Sequence, residues 1–275
     1  MQTSDSELVA QAVSGDEDAF AQLVLRHQGA IKSYLYRLTA CREDAEDLAQ
    51  EVWIQIFTRL GTFEGRSSVR AWLFAIVTRV ASEHDRVKAR WPVDAQDNAK
   101  ALAATNPEIP EILRRTHWEA TRARYEMREH VDFCFTCIMK TLPLDEHITL
   151  MLCDIYDFIP DEAAEVLGRS VEVVNPLLQK ARRTMTRIFG QRCALITQQG
   201  VCHQCTELNG LFNPHQAEQQ ELAKLDLVRA AQEPTSQDLF LLRTALVASI
   251  DPLNAAGTNL HEIMMQVVRQ ASGSE

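Results

Sequence analysis

The sequence predicts an all-α protein with two helical domains, on three observations. Apolar residues recur at the three- and four-residue spacing of amphipathic helices, and no run alternates apolar and polar residues as a half-buried strand does. The 275 residues include only 10 Gly and 9 Pro, too few for a turn-rich β-sandwich. With 46% apolar residues, the chain can bury cores for about two domains of roughly 100–150 residues each.

Four helices are predicted in the first ninety residues. Each follows a side chain that can cap a helix or stops at a glycine. The predicted starts of the four helices are Asp5 or Ser6, Asp16, Glu43, and Ser67 or Ser68. The first helix is predicted to stop at Gly15 and the third near Gly61.

A linker, a second helical domain and two C-terminal segments are predicted for the rest of the chain. The second domain contains a short helix from Pro160, the turn Gly168-Arg169, and a helix capped by Ser170, which is the pattern of a helix-turn-helix. An ordinary helical hairpin with a solvated basic face is the alternative. The predicted division is 5–91 for the helical bundle, 92–125 for the linker, 126–190 for the helix-turn-helix, 191–215 for a Cys-rich segment and 216–275 for a helical extension.

The charge of the chain is segregated. The net charge is −10, yet residues 66–90 hold six basic against two acidic residues, and residues 169–192 hold six against one. Two basic segments in an acidic chain can bind phosphate locally. No stretch approaches the roughly 20 apolar residues of a membrane helix, and the N-terminus lacks the basic region of a secretory signal. We therefore expect a cytoplasmic chain that does not contact membranes.

Two short segments have the composition of binding surfaces. Residues 63–72 place an aromatic, Gly and Ser before a helix rich in Arg and aromatic residues. Aromatic rings beside cations stack on unpaired bases, at about 1–3 kcal/mol per base, although Phe63, Trp72 and Phe74 could equally be core residues. The acidic run in residues 42–52 would suit a basic protein partner or form a solvated charged face.

These segments resemble a known family. Residues 42–53, REDAEDLAQEVW, and 63–73, FEGRSSVRAWL, resemble region 2 of bacterial extracytoplasmic-function (ECF) RNA polymerase sigma factors. Leu142-Pro143, the helix-turn-helix and Ala181-Arg182-Arg183 resemble region 4. The resemblance spans about two-thirds of the chain, from Ser6 to Phe189. It implies a subunit that directs RNA polymerase to promoters and needs no catalytic residue, because the polymerase does the chemistry.

The resemblance also implies a role for individual residues. The residues that would bind the clamp helices of the polymerase β′ subunit are Asp44, Asp47, Gln50 and Glu51. Those that would capture the unpaired −10 strand of promoter DNA are Phe63, Arg66, Ser67, Arg70, Trp72 and Arg79. Those that would lie at the −35 major groove are Arg169, Ser170, Glu172, Val173, Asn175, Gln179, Lys180 and Arg183. An anti-sigma protein is a further candidate partner.

The recognition helix departs from the family pattern at two positions. Asn175 and Pro176 stand where the family usually has a basic residue and Ser. A proline inside a helix removes a backbone hydrogen bond, at a cost of roughly 3 kcal/mol. We therefore expect a kink in this helix.

Seven cysteines are better interpreted as thiols or metal ligands than as disulfides in a cytoplasmic chain. Two close pairs are typical of a tetrahedral zinc site. The preferred zinc ligands are Cys134, Cys137, Cys202 and Cys205, with Cys193, His203 and His130 as substitutes. A redox pair and inert buried thiols are the alternatives.

The acidic helical tail suggests a regulatory element. With the Cys-rich segment it could cover a DNA- or polymerase-binding face until a metal or redox signal changes it; a stabilising cap is the alternative. Two other functions compete with a sigma factor. One is a metal-dependent helix-turn-helix repressor that does not bind polymerase; the other is a C-x2-C thiol oxidoreductase, against which the chain lacks a βαβ pattern.

Overall fold

The computed structural model describes residues 3–86, 88, 90–120, 127–192, 236–255 and 257–273. All regular elements in these residues are helical, which confirms the predicted class. The α-helices are α1 Asp5–Val13, α2 Glu17–Thr39, α3 Arg42–Arg59, α4 Val69–Asp85, α5 Ala95–Thr105, α6 Glu108–Ala120, α7 Met127–Met139, α8 Leu144–Leu150, α9 Pro160–Leu167, α10 Val171–Arg192, α11 Ser236–Ala248 and α12 Thr258–Ala271.

The predicted helix starts in the N-terminal bundle, α1–α4, hold to within one or two residues. Asp16 caps α2 by accepting a hydrogen bond from the Ala19 amide at 3.1 Å. Ser68, one of the two candidates, caps α4 in the same way. The first helix begins one residue earlier than predicted because Ser4 forms a capping box with Glu7.

The segment predicted as a linker is helical over most of its length, since it contains α5 and α6. Its periodicity was missed because the buried positions of α5 are small: Ala95, Ala99 and Ala103, spaced four residues apart. Alanines at this spacing allow another helix to approach closely, and α12 packs on α5. The domain boundaries themselves stay predictions.

The helix-turn-helix domain comprises α8, a π-helical turn at Met151–Ile155, α9 and α10. Gly168 ends α9 in the left-handed conformation, at φ 61°, and the Arg169 amide donates to the Ala164 carbonyl at 3.0 Å. This is a glycine C-cap, which turns the chain tightly between α9 and α10. Helix α10 is unbroken through Pro176 and continues three residues past its predicted end at Phe189.

The C-terminal helices, α11 and α12, pack on the other domains. Contacts of α12 are with α5, α6 and α7, whereas α11 contacts α7, α10 and the π-helical turn. Residues 193–235 lie outside the described part of the chain, so the predicted Cys-rich segment and the start of the predicted tail do as well. Among the described helices, none combines the length and apolar character needed to cross a bilayer.

Candidate nucleic-acid interface

The predicted polymerase-binding residues form one face of α3. Asp47, Gln50 and Glu51 are exposed and lie within about one helical turn of each other. Asp44 is only partly exposed, because its carboxylate accepts from Lys88 Nζ and lies 3.3 Å from His84 Nε2. Burial acts to raise the pKa of Asp44, but Lys88 and His84 outweigh it and lower that pKa. Asp44 is therefore already paired within the chain.

The loop before α4 carries the predicted −10 residues. The rings of Phe63 and Trp72 lie 5.5 Å apart and both are half-buried, so each contributes to the bundle core while leaving one edge in solvent. Arg66 is exposed in the loop and is paired with Glu64. Arg79, three turns into α4, is exposed and pairs with Glu83. Ser67 is half-buried beside the capping Ser68.

Arg70 differs from the other predicted −10 residues because the helix-turn-helix domain contacts it and partly covers it. Its guanidinium donates to the Tyr156 carbonyl, and its Cζ lies 4.2 Å from the centroid of the Phe158 ring. Both partners belong to the segment that joins the π-helical turn to α9. The contact is part of a wider packing of α4 on α9.

The predicted −35 residues lie on the outer face of α10 and the turn before it. Arg169, Ser170 and Glu172 are exposed at the N-terminal end, where recognition helices contact base edges. The rest of the exposed set is Val173, Asn175, Gln179, Lys180 and Arg183. All eight residues are therefore accessible in the structure, at the turn before α10 and along the helix.

Two basic residues of α10 pair with acidic residues from the helices packed against it, and no sequence pattern indicates these pairs. Arg182 Nε donates to Asp154 Oδ2 at 3.0 Å, and Lys180 Nζ donates to Glu146 Oε1 at 2.6 Å. Asp154 and Glu146 are buried, with 4% of each side chain exposed. Arg182 therefore stabilises the domain, and the Lys180 ammonium is shared between Glu146 and the outer face.

A buried arginine joins the three parts of the molecule. Arg37 in α2 donates to Asp132 Oδ1 in α7 at 2.8 Å and to the Tyr156 hydroxyl at 3.0 Å. It also donates to the main-chain carbonyls of Val247 and Ile250, at 2.9 and 2.8 Å. Only 2% of its side chain is exposed. Burial acts to lower the pKa of Arg37, but the Asp132 carboxylate outweighs it and raises that pKa, so the guanidinium stays charged.

A second buried ionic cluster ties the end of α4 to the helix-turn-helix domain. Asp85 accepts from Lys140 Nζ at 2.7 Å and from Arg90 Nη1 at 2.6 Å. Arg90 also donates to the Leu142 carbonyl at 2.6 Å. Nothing in the spacing of these residues indicated that they meet, because the cluster depends on how the domains pack.

The predicted zinc ligands are only partly within the described residues. Cys134 and Cys137 lie in the buried side of α7, and the Cys137 thiol lies 3.6 Å from Met265 Sδ in α12. Burial raises the pKa of Cys137 well above that of an ordinary thiol. Cys193, Cys202, His203 and Cys205 lie outside the described part. Within it, no group of three or more His, Cys, Asp or Glu side chains is arranged to hold a metal ion.

Comparisons with known proteins point to one family. Residues 23–90 match the sigma-70 region 2 family. The chain is 26% identical to the RNA polymerase sigma-H factor of Pseudomonas aeruginosa over 186 residues, which are 68% of this chain and 94% of that protein. It is 27% identical to the ECF RNA polymerase sigma-E factor of Escherichia coli over 185 residues, 67% of this chain and 93% of that protein. The remaining third of the chain lies outside these matches.

Solved structures of similar proteins include two complexes. One is CnrH in complex with the cytosolic domain of CnrY, with 24% identity and a TM-score of 0.48, over 67% of this chain and 96% of that chain. The other is the sigma factor RpoE in complex with the anti-sigma factor NepR from Bartonella quintana, with 16% identity and a TM-score of 0.43. It covers 62% of this chain and 96% of that chain.

Proposed function

We propose that this chain is an RNA polymerase sigma factor of the extracytoplasmic-function type, which directs core polymerase to specific promoters and starts transcription there. The observation that carries the proposal is the match of residues 23–90 to sigma-70 region 2. Relatives named as RNA polymerase sigma factors match over 93–94% of their own length, which supports it. The polymerase supplies the chemistry, so the chain acts as a specificity subunit in the cytoplasm and not as an enzyme.

The exposed face of α3 is the polymerase-binding surface in this proposal. Asp47, Gln50 and Glu51 offer two carboxylates and an amide to a basic helical partner, the clamp helices of the β′ subunit. Asp44 contributes once Lys88 releases it, because Lys88 and His84, the two partners of its carboxylate, belong to the chain itself.

The loop before α4 and the outer face of α10 bind the two promoter elements. Phe63, Trp72 and Arg66 form an aromatic and cationic surface for an unpaired strand, and extruding a base costs a few kcal/mol that such a surface offsets. Asn175, Gln179 and Arg183 lie on the exposed side of α10 with the amide and guanidinium groups that read base edges in a major groove.

Pull-down by core RNA polymerase tests the proposal against its competitor, a repressor that binds DNA alone. A sigma factor co-purifies with core enzyme, and the charge reversal Asp47→Arg lowers the amount that co-purifies. A chain that binds duplex DNA but never co-purifies with core enzyme would instead be the repressor.

Metal control of this activity is a further part of the proposal. Zinc held by Cys134, Cys137, Cys202 and Cys205 would take the Cys137 sulfur as a thiolate, whereas the described structure places it against Met265 of α12. Binding would therefore change the contact between α7 and α12. Metal analysis of the purified chain tests this: we expect one equivalent of zinc that is lost in Cys134→Ser, and a metal-free wild-type chain in zinc-replete medium would contradict it.

A further inference from the structure

We propose that this sigma factor inhibits itself: α11 and α12 hold the helix-turn-helix domain against the N-terminal bundle, so that the α4 face with Arg70 is covered until the C-terminal helices are displaced. The inference rests on the proposed function, since promoter capture is the activity that is inhibited. The chain's own helix-turn-helix domain occupies this face, and the C-terminal helices hold it there.

The two domains are packed side by side, which is incompatible with promoter binding. Elements named −10 and −35 lie roughly 25 base pairs apart, or about 85 Å of duplex at 3.4 Å per base pair. Phe74 of α4 lies 5.6 Å from Tyr156 and 5.1 Å from Phe158, ring centroid to ring centroid. Domains joined by these contacts cannot contact both elements at once, so the chain must open.

The covered side chain is one that the proposed function needs. Arg70 is one of the residues assigned to the −10 strand. Its guanidinium donates to the Tyr156 carbonyl and lies over the Phe158 ring. A nucleic-acid strand therefore competes with the helix-turn-helix domain for the same cation.

The C-terminal helices are part of the lock through Arg37. Two of its acceptors are the carbonyls of Val247, in the last turn of α11, and of Ile250, two residues after the helix ends. Two others, Asp132 and the Tyr156 hydroxyl, come from α7 and the helix-turn-helix domain. A buried guanidinium is stable only with its partners satisfied. Removing α11 takes away two acceptors and weakens the hold of the bundle on Tyr156.

A second attachment fixes α12 to the bundle. Arg269 in α12 donates to the Ala40 carbonyl at the end of α2 and to Glu262 Oε1 at 3.1 Å. Ala40 is in the left-handed conformation at φ 55°, so its carbonyl lies outside the helical hydrogen-bond pattern of α2. The C-terminal helices thus contact the bundle at two separate places.

The junction has a polar part and an apolar part. Arg37, Ser33, Asp132 and the Tyr156 hydroxyl form the polar part, and the rings of Phe74, Tyr156 and Phe158 form the apolar part within one continuous core. Opening the chain exposes this apolar surface and also separates the charged groups, so the acceptors that α11 gives to Arg37 add to the free energy that opening costs.

Two full-length variants test the inference. Val247→Asp puts a carboxylate at a fully buried position of α11, and Arg269→Ala removes the link to Ala40. The matched controls are Leu241→Asp, at an exposed position of α11, and Arg114→Ala, at an exposed position of α6. None of the four residues is assigned to polymerase or DNA binding.

Hydrogen–deuterium exchange of residues 153–160 reports closure without relying on function. We expect faster exchange in Val247→Asp and Arg269→Ala than in the wild-type chain, with both controls unchanged. Run-off transcription by core polymerase on a promoter library should rise by about tenfold in the same two variants, within the usual range of coupling between sites.

The outcomes separate the inference from the function it rests on. Unchanged exchange in both variants would show that the C-terminal helices do not hold the domains together. Faster exchange without a rise in transcription would show that the covered face is not inhibited. If no variant supports transcription although exchange responds, the proposed function fails while the closed junction stands.

Discussion

At Asp44 and Asp47, two carboxylates one turn apart on α3 have different surroundings. Asp44 is held by Lys88 and His84, whereas Asp47 is exposed. Even an exposed ion pair contributes only about 0–1 kcal/mol to folding. Because the Asp47 carboxylate is exposed, we expect its replacement to have little effect on the stability of the chain. Asp47 is therefore the better position for separating polymerase binding from folding.

We predict that Asp47→Arg weakens binding to core polymerase at least about tenfold, because it places a cation against a basic partner. The melting temperature should stay within about 1–2 °C of the wild-type value, since an exposed substitution changes stability little. Fluorescence anisotropy with labelled chain measures the affinity. Glu165→Arg, an equal change of charge on the exposed side of α9, is the control and should bind normally.

Gly168 gives a second prediction at this scale. Its φ of 61° is disfavoured for any residue with a Cβ, and no atom lies within 4 Å of the position a Cβ would take. Gly168→Ala should therefore lower the free energy of unfolding by about 1 kcal/mol from backbone strain alone. Gly190→Ala, inside α10 and equally free of clashes, should stabilise by about 0.5–1 kcal/mol instead. Urea denaturation measures both, and equal effects in the two variants would contradict the assignment.

At the scale of elements, the contact between α7 and α12 contains two buried imidazoles. The rings of His130 and His261 lie 6.1 Å apart, and His261 stacks on Phe133 at 5.5 Å. Burial lowers the pKa of His130 to about 4, and burial together with His130 lowers the pKa of His261 to about 3. Both rings are therefore neutral in the folded chain at neutral pH.

Acid should destabilise this contact. The usual histidine pKa is 6.5, so the unfolded chain binds more protons than the folded chain below that pH, and stability is lost as pH falls from 6.5 toward 4. We predict a loss on the order of 1–2 kcal/mol for each imidazole between pH 7 and pH 5. Denaturation of His261→Gln should show a weaker pH dependence over this range. Gln266→Ala, at an exposed position of α12 and without a titratable group, should keep the wild-type dependence.

The sequence is informative about elements where apolar spacing and caps coincide. Asp16 and Ser68 cap the helices they were expected to cap, and Gly168 ends α9 as its position in the helix-turn-helix predicts. α5 is not predicted because most of its buried residues are alanines, so the sequence has no periodic large apolar residues there. α10 continues through Pro176 without a break, and the kink there stays a prediction.

The packing between elements was not predictable from pattern. Arg37 is one of several polar residues in α2, and nothing local indicates acceptors that are 95 to 213 residues away. Tyr156 and Phe158 are the residues from which this packing could have been inferred. Two large rings in the segment between two helices of a small domain need another surface to bury them. That surface is α4.

For the whole molecule, the uneven charge predicts how DNA binding depends on salt. An overall charge of −10 disfavours DNA, so affinity must come from the local basic surfaces. Each cation that meets a phosphate contributes about −0.9 to the slope of log affinity against log salt for duplex DNA. We predict that Arg183→Ala reduces this slope by about one in promoter binding by the holoenzyme, whereas Gln179→Ala weakens binding without changing the slope. An unchanged slope in Arg183→Ala would remove that residue from the DNA surface.

Run-off transcription from a promoter library, with core polymerase and either the wild-type chain or Val247→Asp, tests promoter-directed initiation most directly. We expect transcripts with defined start sites only when the chain is present, more of them with Val247→Asp, and fewer with Asp47→Arg at a limiting concentration of the chain. The absence of specific transcripts with both the wild-type chain and Val247→Asp, with and without added zinc, would contradict a role in initiation.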